Sequence, residues 1–188
     1  MSKTIHYYMT PSSPWTYLGH ARFEALAKKH GAAVNVMPVD YGVIFPQSGG
    51  LPLAKRAPQR QAYRLVELKR WSEFLGVPIV IQPKFFPVNA IPAAELIWGA
   101  PAAKRMALAG DLLSALWKDD RDLADPAVLQ EIGSKYGAAG GDKAAFEANT
   151  QEALGRQVFG APSYVYRDEI FWGQDRLELL ARALSKSQ

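Results

Sequence analysis

The spacing of apolar positions changes period several times along the chain. Ile5 to Met9 is an apolar run of strand character, and the polar turn from Thr10 to Ser13 leads it directly into a helical pattern. Leu18, Ala21, Ala25 and Leu26 recur at helical spacing between Pro14 and His30, and Gly31 ends the run. Ala33 to Val39 is β-branched and partly alternating, which predicts a second strand. A strand, a helix and a strand in this order predict a parallel pair with a right-handed crossover, and they place the helix N-terminus at the carboxyl edge of the sheet.

The middle of the chain reads differently. Gly42, Pro46, Ser48, Gly49, Gly50 and Pro52 predict a loop from Asp40 to about Leu53. A helix follows from Pro58 to near Gly76, with Leu65, Leu68 and Leu75 joined by Tyr63, Val66 and Trp71 on its apolar side. Pro78 to Pro87 is an extended connector. Ile91–Gly99, Ala102–Lys118, Pro126–Tyr136 and Asp142–Leu154 read as helices, several with a cap and an early proline, as at Asp125-Pro126. Strand character returns at Val158–Tyr166 and Ile170–Trp172 around a turn at Arg167-Asp168-Glu169, which predicts an antiparallel hairpin. Asp175-Arg176-Leu177-Glu178 has capping-box spacing before a last helix with Leu177, Leu180, Ala181 and Leu184.

The order β-α-β, helices, β-β-α is an α/β thioredoxin-like topology interrupted after its second strand. Residues 1–40 with 155–188 are expected to form that domain, and 41–154 an all-helical insertion. With 188 residues and 48% hydrophobic content the chain can bury one sizeable core, and no run approaches the roughly 20 apolar residues of a membrane span. Met1 to Thr4 leads into the first strand without an apolar stretch, so a cytoplasmic location is expected. There is no cysteine, which rules out disulfides, thiolate metal sites and any thiol chemistry of the protein's own; a thiol used here must arrive on a cofactor. His6, His20 and His30 are too scattered to predict a metal site, and a net charge of +4 makes nucleic acid only a weak alternative partner.

Ser13 is the residue on which chemistry centres. Pro14 keeps Ser13 out of helical backbone space and suits the first helical position, so Ser13 is the expected N-cap. Unpaired N–H groups and the helix dipole make that spot favourable for an anion. Ser13 could equally be no more than a cap. Yet Ser13-Pro14-Trp15-Thr16 has the spacing of a Cys-x-x-Cys redox motif, with hydroxyls where both thiols would stand. Two further motifs lie near the other end of the chain: Phe159-Gly160-Ala161-Pro162 at the start of a strand, and Phe171-Trp172-Gly173-Gln174-Asp175-Arg176 before the last helix.

Together these three motifs resemble kappa-class glutathione transferases and 2-hydroxychromene-2-carboxylate isomerases over nearly the whole chain; bacterial disulfide oxidoreductases share the interrupted topology. The resemblance implies glutathione as cofactor, with Ser13 hydrogen-bonded to its sulfur, Ala161 holding its cysteinyl backbone beside a cis Pro162, and Asp175 and the Arg176 backbone holding its γ-glutamyl end. It also implies a homodimer. One position departs from the family: Ser48-Gly49-Gly50 has glycine where an asparagine contacts glutathione, so Gln47 or a residue near Lys55 would have to substitute.

The implied reaction is isomerisation of an aromatic carboxylate through reversible thiolate addition. Trp15, Tyr17, Phe85 and Phe86 are candidates to line the substrate pocket, although the last two read first as a core plug. Lys55, Arg56, Arg60 or Lys84 are candidates for its carboxylate. The helix after Pro58 and its approach carry six cations, Lys55, Arg56, Arg60, Arg64, Lys69 and Arg70, which form either a solvated face or, in one or two members, a carboxylate contact. A kappa-class transferase and a non-enzymatic peptide-binding module are the alternative functions. The missing cysteine argues against a disulfide oxidoreductase, and the lack of an obvious base argues against a serine hydrolase.

Overall fold

The computed structural model describes residues 3–138 and 140–186; Met1 and Ser2, where the segment read as lacking an apolar leader begins, lie outside them. A four-stranded sheet has the order β2-β1-β3-β4. β1 (Thr4–Met9) runs parallel to β2 (Ala33–Pro38), from Thr4 opposite Ala33 to Met9 opposite Pro38. On its other side β1 is antiparallel to β3 (Ser163–Tyr166), with Tyr8 opposite Ser163, and β3 forms the expected hairpin with β4 (Glu169–Trp172). Arg167 and Asp168 both have positive φ, 51° and 62°, the backbone that a two-residue hairpin turn requires.

β1 is central and covered on both faces: Ile5, Tyr7, Tyr8 and Met9 are each 0% exposed. Its alternation divides the core in two. Ile5, Tyr7 and Met9 join Val36, Tyr164 and Tyr166 on one face, under α1 (Pro14–Lys29) and α8 (Leu177–Ser185). Tyr8 joins Met37, Val39 and Val165 on the other. On the first face Phe23 of α1 packs against Tyr7 and Tyr164, with ring centroids 4.7 and 4.5 Å away.

Between β2 and β3 lie α2 (Tyr41–Ser48), α3 (Pro58–Leu75), α4 (Ile91–Gly99), α5 (Arg105–Trp117), α6 (Pro126–Ser134) and α7 (Lys143–Gly155). The helix expected from Ala102 begins as a 3-10 turn at Ala102–Lys104. Asp125 and Asp142 cap α6 and α7 through their side chains. Among the described residues no helix is long and apolar enough to cross a membrane.

Four expectations need correction. Tyr63 and Val66, expected on the apolar side of α3, are exposed, because that helix turns Leu68 and not these two into the core. The loop predicted from Asp40 to Leu53 contains α2, because Asp40 Oδ1 accepts the Gly42 N–H at 2.7 Å as an N-cap and Gly49 stops the helix at φ 73°. Pro46 lies inside this short helix. The strand predicted from Val158 is paired only from Ser163, since Pro162 has no N–H and the Gly160 carbonyl is taken by the Tyr41 and Ser163 hydroxyls. The capping box does not form. Gln174–Arg176 is a 3-10 turn, α8 starts after it without a side-chain cap, and the Asp175 carboxylate pairs with the Arg176 guanidinium instead.

A polar pair is buried in the helical face of the core. His20 Nε2 lies 3.1 Å from the Met106 carbonyl and therefore carries the proton, so Nδ1 accepts from the Tyr7 hydroxyl at 3.2 Å. Burial pushes the His20 pKa down to about 4, against the partly offsetting bond to Met106. The unfolded chain binds a proton near pH 6.5 that the folded chain refuses until about pH 4. Stability is thus fully present above pH 6.5 and declines as pH falls toward 4, by up to roughly 3 kcal/mol from this group. Urea unfolding at pH 7 and pH 4.5 is expected to show that decline, and His20→Gln to show a smaller one. At neutral pH, Phe23→Ala is expected to lose about 3–5 kcal/mol in the same measurement, the cost of emptying a closed aromatic cluster.

Candidate active site

The chain leaves β1 at Met9 and turns through Thr10 to Ser13 before entering α1. The Ser13 N–H closes the turn on the Thr10 carbonyl at 3.1 Å, and its extended backbone, φ −91° and ψ 118°, makes it the N-cap. Ser13 Oγ accepts the Thr16 N–H at 3.2 Å. That bond leaves the hydroxyl's own proton available to an acceptor outside the turn. Pro14 brings no N–H, and the first turn of α1 carries no acidic residue to neutralise the dipole. A buried hydroxyl donor at an unneutralised helix start suits a thiolate or oxyanion. Thr16, in the position of a second redox thiol, is 0% exposed and its Oγ1 has no hydrogen-bond partner.

The second and third motifs meet this turn through the sheet. Because Tyr8 pairs with Ser163, Ala161 and Pro162 lie beside the carboxyl end of β1, and the Ala161–Pro162 bond is cis. A second cis bond, Phe86–Pro87, is not signalled in the sequence. The Gly173 N–H donates to the Pro162 carbonyl at 2.9 Å, and a Cβ on Gly160 would lie 2.3 Å from Trp172 Nε1. The Tyr41 hydroxyl, whose pKa burial raises, donates to the Gly160 carbonyl at 2.8 Å. Gln174 seats the Asp175 turn on α1: its Oε1 accepts from Arg22 at 2.8 Å, and its Cβ packs where a side chain on Gly19 would stand. Gly19 is six positions beyond Ser13, about 9 Å along the helix. Pro162, Gly173 and the Gln174–Asp175 turn are thus linked to one another, and Ser13 caps the helix on which that turn rests.

Trp15, Tyr17, Phe85 and Phe86, the aromatics expected to line the substrate pocket, all belong to or pack against the main core cluster. The Tyr17 hydroxyl donates to the Pro78 carbonyl at 2.6 Å, which ties α1 to the connector, and Trp15 packs into the main core. Lys84 is turned over the Phe85 ring, 5.1 Å from its centroid, and its N–H is fixed by Asp120. Phe86 packs on Trp117 with the rings tilted by 49° and centroids 5.0 Å apart, and Trp117 Nε1 donates to the Pro11 carbonyl at 3.3 Å. Phe86 thus backs the turn before α1 through Trp117.

The cavity beside that turn has other walls. It holds about 240 Å³ between Thr10 and Ser12 on one side, Asp40 and Tyr41 after β2, and Val88 to Ile91 with Phe146 opposite. Tyr41, Asn89 and Phe146 had no sequence signal as pocket residues, because each comes from a different helix or connector. The departure at Gly50 has a steric cause: a Cβ there would lie 2.3 Å from the Phe45 ring. The Gln47 amide donates to the Val43 carbonyl of its own helix at 3.2 Å.

Known proteins agree with this architecture. A 2-hydroxychromene-2-carboxylate isomerase from Pseudomonas putida is 27% identical over 97% of this chain and 94% of its own, and one from Sphingobium xenophagum is 27% identical over 96% and 97%. A solved 2-hydroxychromene-2-carboxylate isomerase superposes with a TM-score of 0.79 at 25% identity, covering 96% of this chain and 94% of that one. The cytosolic disulfide reductase DsbM from Pseudomonas aeruginosa, solved with GSH, shares the fold at a TM-score of 0.64 and 19% identity, over 97% of this chain and 100% of that one. The DsbA-like thioredoxin domain model matches residues 4–185, and the chain belongs to that family.

Proposed function

We propose that this protein is a glutathione-dependent isomerase acting on an unsaturated aromatic carboxylate of the 2-hydroxychromene-2-carboxylate type. The observation that carries the reading is Ser13, a buried N-cap hydroxyl with a proton to give, in a chain without a thiol whose relatives are named as these isomerases. A thioredoxin-type site needs sulfur at this position, and here it has to come with a ligand.

A tripeptide thiol fits the spacing. An extended tripeptide spans about 10 Å, close to the distance along α1 from Ser13 to the Gln174–Asp175 turn. With the sulfur at Ser13, its backbone would pass Ala161, and its ammonium end would meet the Asp175 carboxylate. Free thiols ionise near pKa 8.5, so the Ser13 O–H and the helix dipole, each worth on the order of 1 kcal/mol, enlarge the thiolate fraction at neutral pH.

The reaction is balanced without a co-reactant. The thiolate adds to the carbon–carbon double bond conjugated with the substrate's carbonyl, forming a C–S bond as the electron pair moves to the carbonyl oxygen. The former double bond rotates. The pair then returns, the C–S bond breaks, and glutathione leaves unchanged beside the isomerised product. The cavity next to Ser12, about 240 Å³ with Phe146 and Ile91 in its wall, is the place for an aromatic substrate of one or two rings.

Calorimetric titration with glutathione at pH 6.5 and pH 8 tests the cofactor. Wild type is expected to bind it with release of a proton at the lower pH, and to bind the S-methyl analogue more weakly and without proton release. Ser13→Ala is expected to weaken glutathione roughly fivefold to tenfold and to reduce the proton release, with folding stability lower by about 1 kcal/mol from the lost cap. Equal binding of both ligands, or none, overturns the thiolate site. With the cofactor bound, interconversion of a chromene carboxylate and its ring-opened isomer supports the isomerase, whereas accumulation of a glutathione conjugate would identify a transferase.

A further inference from the structure

Arg64 differs from the other five cations of the α3 region. Arg70 pairs with Glu67 and Lys69 with Glu73, and Arg56 donates to the Leu51 carbonyl, all toward the surface. Lys55 and Arg60 are exposed. Arg64 is half-buried, with its guanidinium carbon 5.1 Å from the centroid of Phe86 and 5.8 Å from that of Trp117. Its Nη2 is buried and has no hydrogen-bond partner. No carboxylate lies within ion-pair distance among the described residues, and the charge that acts on it most is the like charge of Arg56.

This arrangement is unfavourable unless something answers it. A buried unpaired donor is rare in native proteins, and a partly buried charge without an opposite charge is strongly disfavoured. Contact with two aromatic rings offsets part of that cost and fixes the guanidinium plane. Burial together with Arg56 brings the Arg64 pKa down to about 10, so at neutral pH the group stays charged.

The position ties Arg64 to the site. Trp117, one of its two ring partners, donates from Nε1 to the carbonyl of Pro11, immediately before Ser12 and Ser13. Phe86, the other, leads through Pro87 into Val88 and Asn89, which wall the cavity beside Ser12. A planar fork of N–H donors held by stacking is matched to a planar carboxylate, which can accept two parallel bonds. Resting on the isomerase reading for its ligand, we propose that Arg64 is a specificity-determining residue that receives a ligand carboxylate at the Phe86–Trp117 edge of the site.

Two carboxylates could be the ligand group, that of the aromatic substrate or one from glutathione, and the substrate's is expected. Titrations of wild type, Arg64→Leu and Arg64→Lys with trans-cinnamate, methyl cinnamate and glutathione separate them. Arg64→Leu is expected to lose roughly tenfold to a hundredfold in cinnamate affinity, the size of a lost charge-assisted hydrogen bond, while wild type binds the uncharged ester no better than the variant does. Arg64→Lys should fall between, because it keeps the charge without the fork. Glutathione affinity should not move; a loss there instead assigns the carboxylate to the cofactor. Thermal melting of Arg64→Leu should match or exceed wild type, since no native ion pair is removed.

Unchanged affinity of Arg64→Leu for both acids, or failure of wild type to bind either, overturns the proposal. If wild type binds cinnamate through Arg64 but does not bind glutathione, the carboxylate site stands and the cofactor reading falls. If it binds glutathione and Arg64→Leu changes nothing, the reverse holds.

Discussion

The pairing of β1 with β3 is the contact on which the rest of the structure depends. It sets Tyr8 opposite Ser163, and so joins two segments that are far apart in the chain across the middle of one sheet. The alternation of β1 is satisfied only by that pairing. Tyr7 needs Tyr164 and Phe23 on one face, Tyr8 needs Met37 and Val165 on the other, and a slip of one residue would exchange the two faces. Closing the chain in this way carries a loop-closure cost that grows only slowly with length, so six helices between β2 and β3 are tolerated.

The same pairing assembles the site. It holds Pro162 at the end of β1, where the chain turns into α1, and the hairpin then returns through Gly173 and Gln174 onto α1 itself. Gly160 shows how little freedom is left. Its carbonyl accepts two hydroxyls, from Tyr41 and Ser163, and its α-carbon lies under the Trp172 indole. A rigid cradle of this kind spends little conformational entropy when a ligand docks, which favours selective binding over tight but indiscriminate contact.

Replacing thiol by hydroxyl changes what such a cradle can do. A cysteine at a helix start becomes a nucleophile by losing its proton, whereas a serine there keeps its proton and donates it. Under the proposed function, the fold's capacity to stabilise sulfur negative charge serves a visiting thiolate, and the chemistry is reversible addition in place of disulfide exchange. The role proposed for Arg64 extends that logic to an acid group on the ligand, because its guanidinium has no carboxylate partner among the described residues and lies over Phe86.

Local pattern by itself determined the strands at β1 and β2, α1 with its Ser13 cap, the hairpin turn and most helix limits. Each depends on residues within one or two turns of one another: a proline after a serine, an Asp before a proline, apolar positions at period two or 3.6. It also placed the three motifs and pointed to the cis bond at Pro162 through resemblance. It missed α2, because the density of Gly and Pro from Gly42 to Pro52 reads as loop and outweighs the Asp40 cap and Gly49 stop that bound a short helix. It assigned Asp175 to a cap that a 3-10 turn displaced. What only the tertiary structure decided was which side chains share a space. Tyr41 reaches Gly160, Trp117 reaches Pro11, and Arg64 is drawn over Phe86 while neighbouring cations stay in water, because those contacts are set by how separate helices pack and have no period that a sequence can display.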